Sequence, residues 1–107
     1  MTKQEQTDFL DQYFIKMKQV ILNKGDDYAN GDRLSNFKLA GSIAGGNAEI
    51  NCLNLIATKI ARLGVLLNSK ESPKNESVND SILDLANYAL LLAMIKHEGS
   101  NPHNHLI

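Results

Sequence analysis

Glu76, Asp80 and Asp84 stand four residues apart near the C-terminus, and Tyr88 follows at the same interval with Asn87 beside it. A step of four drifts by only about 40° around a helix, so these side chains line one side of it, with Asn87 between them in azimuth. Three carboxylates in a row repel one another and call for cations or a metal ion. Cations stand at unexpected places nearby. On a helix read from Ala48 to Asn68, Cys52, Leu53, Leu55, Ile56, Ile60, Leu63, Leu66 and Leu67 share one broad arc, and Lys59 lies inside it. An unpaired buried ammonium costs several kcal/mol, so an anionic partner or ligand must be close by. Lys24 sits in the same way near the centre of the first helix's stripe of Phe9, Leu10, Tyr13, Phe14, Met17, Val20 and Ile21.

Carboxylates that hold a divalent cation and basic groups that hold phosphate are the two halves of a nucleotide site. On that reading Glu76, Asp80 and Asp27 hold Mg²⁺, and Glu76, Asp80 and Asp84 are the catalytic acids. Lys24, Lys59 and Arg62 hold phosphates, and Arg33 belongs to the same ligand set. Tyr28, Asn36 and Phe37 contact the base, with Asn87 and Tyr88 completing the ligand set. A plainer reading stands beside it. Lys59–Asp84 and Arg62–Asp80 would be structural ion pairs, and Ser77-Val78-Asn79-Asp80 a capping box whose acids favour a helix N-terminus.

The elements that must position these groups follow from caps and periodicity. Thr2-Lys3-Gln4-Glu5 reads as a capping box that opens a helix running to Lys24, where Gly25 offers a stop. From 25 to 47 the periodicity fails and glycines interrupt, with a short helix expected around 33–40. A stretch of that length in a small domain points to function, and its Asp27, Tyr28, Asp32, Arg33, Asn36 and Phe37 fit that role. Asn47 caps the helix to Asn68, and Gly45-Gly46 before it reads as linker. A turn containing Pro73 leads into a final helix over 76–97, and the short connection makes an antiparallel hairpin the natural pairing. Reflection about the turn brings Lys59 and Arg62 level with residues 82–85, beside Asp80 and Asp84. The tail 98–107, with His103 and His105, reads as frayed. The fold class is all-α, a small bundle of three main helices in one domain spanning 1–107.

Composition narrows the functional classes. The chain is 43% hydrophobic and 21% charged with a formal net charge of -1, an ordinary globular balance that gives no basic surface for nucleic acid. The longest apolar run, Tyr88 to Ile95, is far too short to span a bilayer, and the N-terminus has no apolar leader segment. One cysteine, Cys52, excludes an intrachain disulfide and fits a packing role in a reducing cytoplasm. Leu90, Leu91, Leu92, Met94 and Ile95 cover the last helix all round, which points to a homo-oligomer with a dimer as the default. No phosphate-binding glycine loop, nucleophile elbow, zinc spacing or dinucleotide fingerprint occurs.

Four ordered motifs carry a resemblance. Lys24-Gly25-Asp26-Asp27-Tyr28-Ala29-Asn30, Asp32-Arg33-Leu34-Ser35-Asn36-Phe37, Ala57-Thr58-Lys59-Ile60-Ala61-Arg62-Leu63, and Asn75-Glu76-Ser77 with Asp80 and Asp84 to Ala89 resemble the first of the nucleotide-modification-associated domain families. These are small proteins of bacteriophages and their hosts, and the resemblance covers about 24–92. It implies a role in nucleotide or modified-base metabolism. A looser similarity is to the all-α nucleoside triphosphate pyrophosphatases of the MazG and dimeric dUTPase kind, in which acids on two facing helices hold magnesium. Those enzymes pair an E-x-x-E with an E-x-x-D, whereas this chain has no E-x-x-E and would draw its second set of acids from Asp26, Asp27 or Asp32. Two functions therefore stay open at this point: a Mg²⁺-dependent nucleotide phosphohydrolase, and a non-catalytic protein that sequesters a nucleotide, including a cyclic signalling nucleotide. An oligomeric interaction module with structural ion pairs is the third.

Overall fold

The Thr2 hydroxyl accepts from the Glu5 amide at 3.1 Å while the Glu5 carboxylate accepts from the Thr2 amide at 3.3 Å, closing the expected capping box on both sides. From there α1 runs Lys3–Tyr28, followed by α2 at Ser35–Ile43, α3 at Ala48–Asn68 and α4 at Asn75–Ser100 in this computed structural model. The structure describes residues 1–28, 31–69 and 75–100, with the side chains of 25–28, 75, 76 and 100 set aside. No strand occurs among the described residues, and the fold is an all-α bundle. His103, His105 and Pro73 lie outside the described residues.

Helix α1 does not stop at Gly25 but continues for three more residues. A glycine inside a helix costs only about 1 kcal/mol relative to alanine, too little to end it without a left-handed capping geometry. That geometry appears instead after α2. Gly45 has φ +75°, its amide donates to Ser42 O at 3.3 Å, and the Gly46 amide reaches Gly41 O at 2.8 Å. These are the two crossed bonds of a Schellman ending, and they turn the chain directly into Asn47, whose side chain caps α3 by accepting from the Ile50 amide at 2.8 Å. The expected irregular stretch is thereby shortened, and α2 begins two residues later than the sequence suggests.

Helices α3 and α4 form the antiparallel hairpin and share the most extensive contact, α2 packs on α3, and α1 touches α4 over a smaller area. The core gathers Leu34, Phe37, Cys52 and Ile95, with Ala48, Leu55, Tyr88, Leu91 and Leu92 against them. Cys52 is completely buried, its thiol donates to Tyr88 O at 3.3 Å, and burial pushes its pKa up. It therefore packs as a small apolar residue. Lys38 on α2 pairs with Asp32 just before that helix at 2.5 Å and with Glu98 near the end of α4, and the second pair fastens α2 to α4. Asp32 in turn accepts from the Leu34 amide at 3.0 Å, and the Lys38 and Leu34 bonds together hold its carboxyl below the usual range.

Helix α4 is covered better than its sequence implies. Ile95 is buried and Leu91 and Leu92 are half-buried, leaving Leu90 and Met94 as the more open positions. The uncovered apolar surface lies elsewhere, on Phe9, Leu10, Phe14 and Ile15 of α1 and on Ile50, Leu53, Ile60, Val65 and Leu67 of α3. By length and composition alone, Ala48–Asn68 and Ser77–Gly99 are also apolar enough to cross a membrane, with mean hydropathies of 1.5 and 1.3. The short run Tyr88 to Ile95 understates the apolar length of its helix, although core helices of soluble proteins pass the same test.

Candidate functional site

Asp84 is the meeting point of the two inward lysines. Lys59 Nζ lies 2.9 Å from Asp84 Oδ2, and Lys24 Nζ lies 3.4 Å from Oδ1. Lys59 and Asp84 keep side-chain exposures of 24% and 21%, whereas Lys24 keeps 57%, so Lys59 is the lysine that the bundle encloses. Burial works to raise the Asp84 carboxyl, yet the hydrogen bond from Lys59 and the charges of both lysines win and hold it below the usual carboxylate range. One carboxylate thus ties α1, α3 and α4 together.

The second expected pair does not form. Arg62 Nε donates to Ser81 Oγ at 3.2 Å, and Ser81 is 2% exposed. Asp80 is exposed and makes no ion pair among the described residues. The acidic row drifts around α4, so by Asp84 it has turned toward the lysines while Asp80 still faces solvent.

Beside Asp84 lies a cavity of about 460 Å³ between α1, α2 and α4, with Leu55 contributed by α3. Seven residues singled out from the sequence line it: Lys24, Arg33, Asn36, Phe37, Asp84, Asn87 and Tyr88. Each arrives from a different constraint. Lys24 sits on the last turns of α1, and Arg33 is held where its Nη2 donates to Leu22 O at 2.8 Å. Asn36 and Phe37 ride on the first turn of α2, which Asp32 anchors. Asp84, Asn87 and Tyr88 share one face of α4 by their spacing of three and four. The remaining wall is apolar and includes Val20 and Ile21 from the stripe of the first helix, Leu91 and Met94 from the apolar half of the last, and Leu34. Their stripe positions gave no sign that a gap would remain between the helices.

The structure separates the rest of the expected set. Lys59 and Arg62 do not line the cavity; Lys59 backs it through Asp84, and Arg62 lies about one turn further along α3. The side chains of Asp27, Tyr28 and Glu76 lie outside the described residues. Among the described residues no three His, Cys, Asp or Glu side chains converge as a metal-holding group. Asp84 already spends both oxygens on ammonium groups and Asp80 does not line the cavity, so the described donors do not fit Mg²⁺ bound there.

Comparison with protein-family models, with curated proteins and with solved structures gives no match.

Proposed function

We propose that this chain is a nucleotide-binding protein acting in nucleotide or modified-base metabolism, and that it holds its ligand in the cavity between α1, α2 and α4. The observation that carries the reading is the convergence of Lys24, Arg33, Asn36, Asn87 and Tyr88 on one largely apolar cavity. A volume near 460 Å³ suits a mononucleotide, within the roughly 300–1,000 Å³ of small-molecule sites. Two cations at the mouth match a phosphate, and an apolar interior with the buried Asn87 carboxamide matches a base.

The pairing of Asp84 with two lysines favours binding over metal-assisted hydrolysis. The carboxylate orients the ammonium groups and neutralises them while the ligand is absent, and no catalytic step is assigned to it. A Mg²⁺-dependent phosphohydrolase is the second reading, and its metal would depend on Asp27 and Glu76 together with Asp80. The four-motif resemblance supports either role.

A thermal-shift panel of nucleotides, each with and without Mg²⁺, tests both readings. A nucleotide at a hundred times its Kd adds about 2.7 kcal/mol, a rise on the order of 10 °C for a domain of this size. The expected result is a shift that does not need Mg²⁺, with the nucleotide recovered unchanged. Mg²⁺-dependent conversion abolished by Asp80→Asn establishes the hydrolase instead, and a panel with no shift overturns nucleotide binding.

A further inference from the structure

Asn87 is 4% exposed, yet neither its amide nitrogen nor its amide oxygen has a hydrogen-bond partner among the described residues. Buried carboxamides are normally satisfied, because the groups lose water on burial and regain nothing without a partner. Asn87 lines the cavity, together with the apolar Leu34, Phe37 and Leu91. Asp84 and Tyr88 line the same cavity, but neither bonds the Asn87 amide. The cations lie at the open end, with Lys24 more than half exposed and Arg33 exposed as well. The site is therefore polarised, charged at its mouth and carrying an unspent donor and acceptor inside.

We infer that Asn87 is the base-reading residue of the cavity, an assignment that rests on the nucleotide-binding reading above. A carboxamide presents one donor and one acceptor side by side, and its complement is a base edge with an acceptor beside a donor. Each free nucleobase offers that combination on its Watson–Crick edge, N1 beside the amino group in adenine, O6 beside N1–H in guanine, N3 beside the amino group in cytosine and O4 beside N3–H in uracil, whereas ribose phosphate carries no base edge at all. With the base against Asn87 and Phe37, the phosphate reaches Lys24 and Arg33 at the rim, so one ligand satisfies both ends.

The test measures the affinities of AMP, GMP, CMP, UMP and ribose phosphate for the full chain and for Asn87→Leu and Asn87→Ala. The parent is expected to bind at least one of the four nucleotides more tightly than ribose phosphate by ~10-fold or more, the gain that one bidentate amide–base contact supplies. Asn87→Leu, which keeps the volume and removes both polar atoms, should cut that ratio by ~10-fold while ribose phosphate binds as before. Its melting temperature should match or exceed the parent's, since no protein bond is lost. Three results overturn the assignment: a parent that binds no nucleotide more tightly than ribose phosphate, an Asn87→Leu or Asn87→Ala variant that keeps the parent's nucleotide-to-ribose phosphate ratio, or a large fall in melting temperature in both variants. In each of these cases nucleotide binding itself survives. A parent that binds neither nucleotides nor ribose phosphate removes the nucleotide reading and the assignment with it.

Discussion

Lys59 has its azimuth inside the apolar arc of α3 by helical geometry alone, and its half-buried pairing with Asp84 at 2.9 Å supplies the anion that burial demands. The two ends of that contact should respond unequally to mutation. Lys59→Met fills the stripe with an uncharged chain of similar length while Asp84 retains Lys24, so stability should change by less than about 1 kcal/mol. Asp84→Asn strands Lys59 without an anion and should cost about 1–3 kcal/mol in urea unfolding. The pH dependence has a definite sign. A carboxyl whose folded pKa is depressed stabilises the fold fully above its unfolded value, about 3.9, and that contribution is lost as the pH falls through the lower folded value. The parent should therefore lose stability below about pH 4, and Asp84→Asn should lose less over the same interval. Lys59 and its need for an anion were thus legible in the sequence, whereas the partner of Arg62 was not. Ser81 and Asp80 differ by one position, which is about 100° on α4, and only the packed hairpin fixes that angle.

At the scale of elements, the legible features were those fixed by neighbours in sequence. The Thr2–Glu5 box, the Asn47 cap and the α3–α4 hairpin each depend on a few adjacent residues or on a short connection, and all three occur as read. The placement of α2 was less legible, because its start is set by Asp32 bonds to the Leu34 amide and to Lys38, and its end by the Gly45 turn. Nor did spacing reveal how closely α2 approaches α3. A Cβ on Gly41 would stand 2.4 Å from the Asn47 carbonyl carbon and 2.6 Å from its oxygen, both backbone atoms that no rotamer change can move aside. Gly41→Ala should therefore cost about 1–3 kcal/mol by forcing α2 off the start of α3. Gly64 in α3 is its counterpart, with nothing within 4 Å of the added methyl. Gly64→Ala should raise stability by about 0.5–1 kcal/mol, so thermal melts of the two variants should move in opposite directions. If both fall together, the close approach of α2 to Asn47 is not what constrains Gly41.

The whole molecule is more open than its length calls for. A compact chain of this size has a radius of gyration near 13 Å, and this one measures 16.0 Å with extents of 43 × 34 × 23 Å. Helix α1 is only partly covered: its second half meets α4 through Lys24 and Asp84, while Phe9, Leu10, Phe14 and Ile15 on its first half stay exposed. The Tyr13 hydroxyl on the same helix is enclosed without a partner among the described residues. The outer face of α3 adds Leu53, Ile60, Val65 and Leu67. The sequence pointed to self-association but located the cause on α4, because counting apolar residues around one helix ignores which neighbours cover it. Exposed apolar surface of this extent on a small domain calls for a partner, and closed symmetric pairing of these faces is the simplest way to cover it. Size exclusion with light scattering should thus give at least twice the chain mass of 11.8 kDa. Phe9→Glu with Phe14→Glu should lower the assembly state if the first half of α1 forms the contact, and leave it unchanged if α3 does. A membrane is the competing cover for α3, yet Lys59 and Arg62 would each cost about 2.5–3.5 kcal/mol near the centre of a span. Fractionation separates the two outcomes: recovery of the chain in the soluble fraction as a stable particle of two or more copies supports pairing, whereas a chain released only by detergent, or a stable 11.8 kDa monomer at micromolar concentration, refutes it.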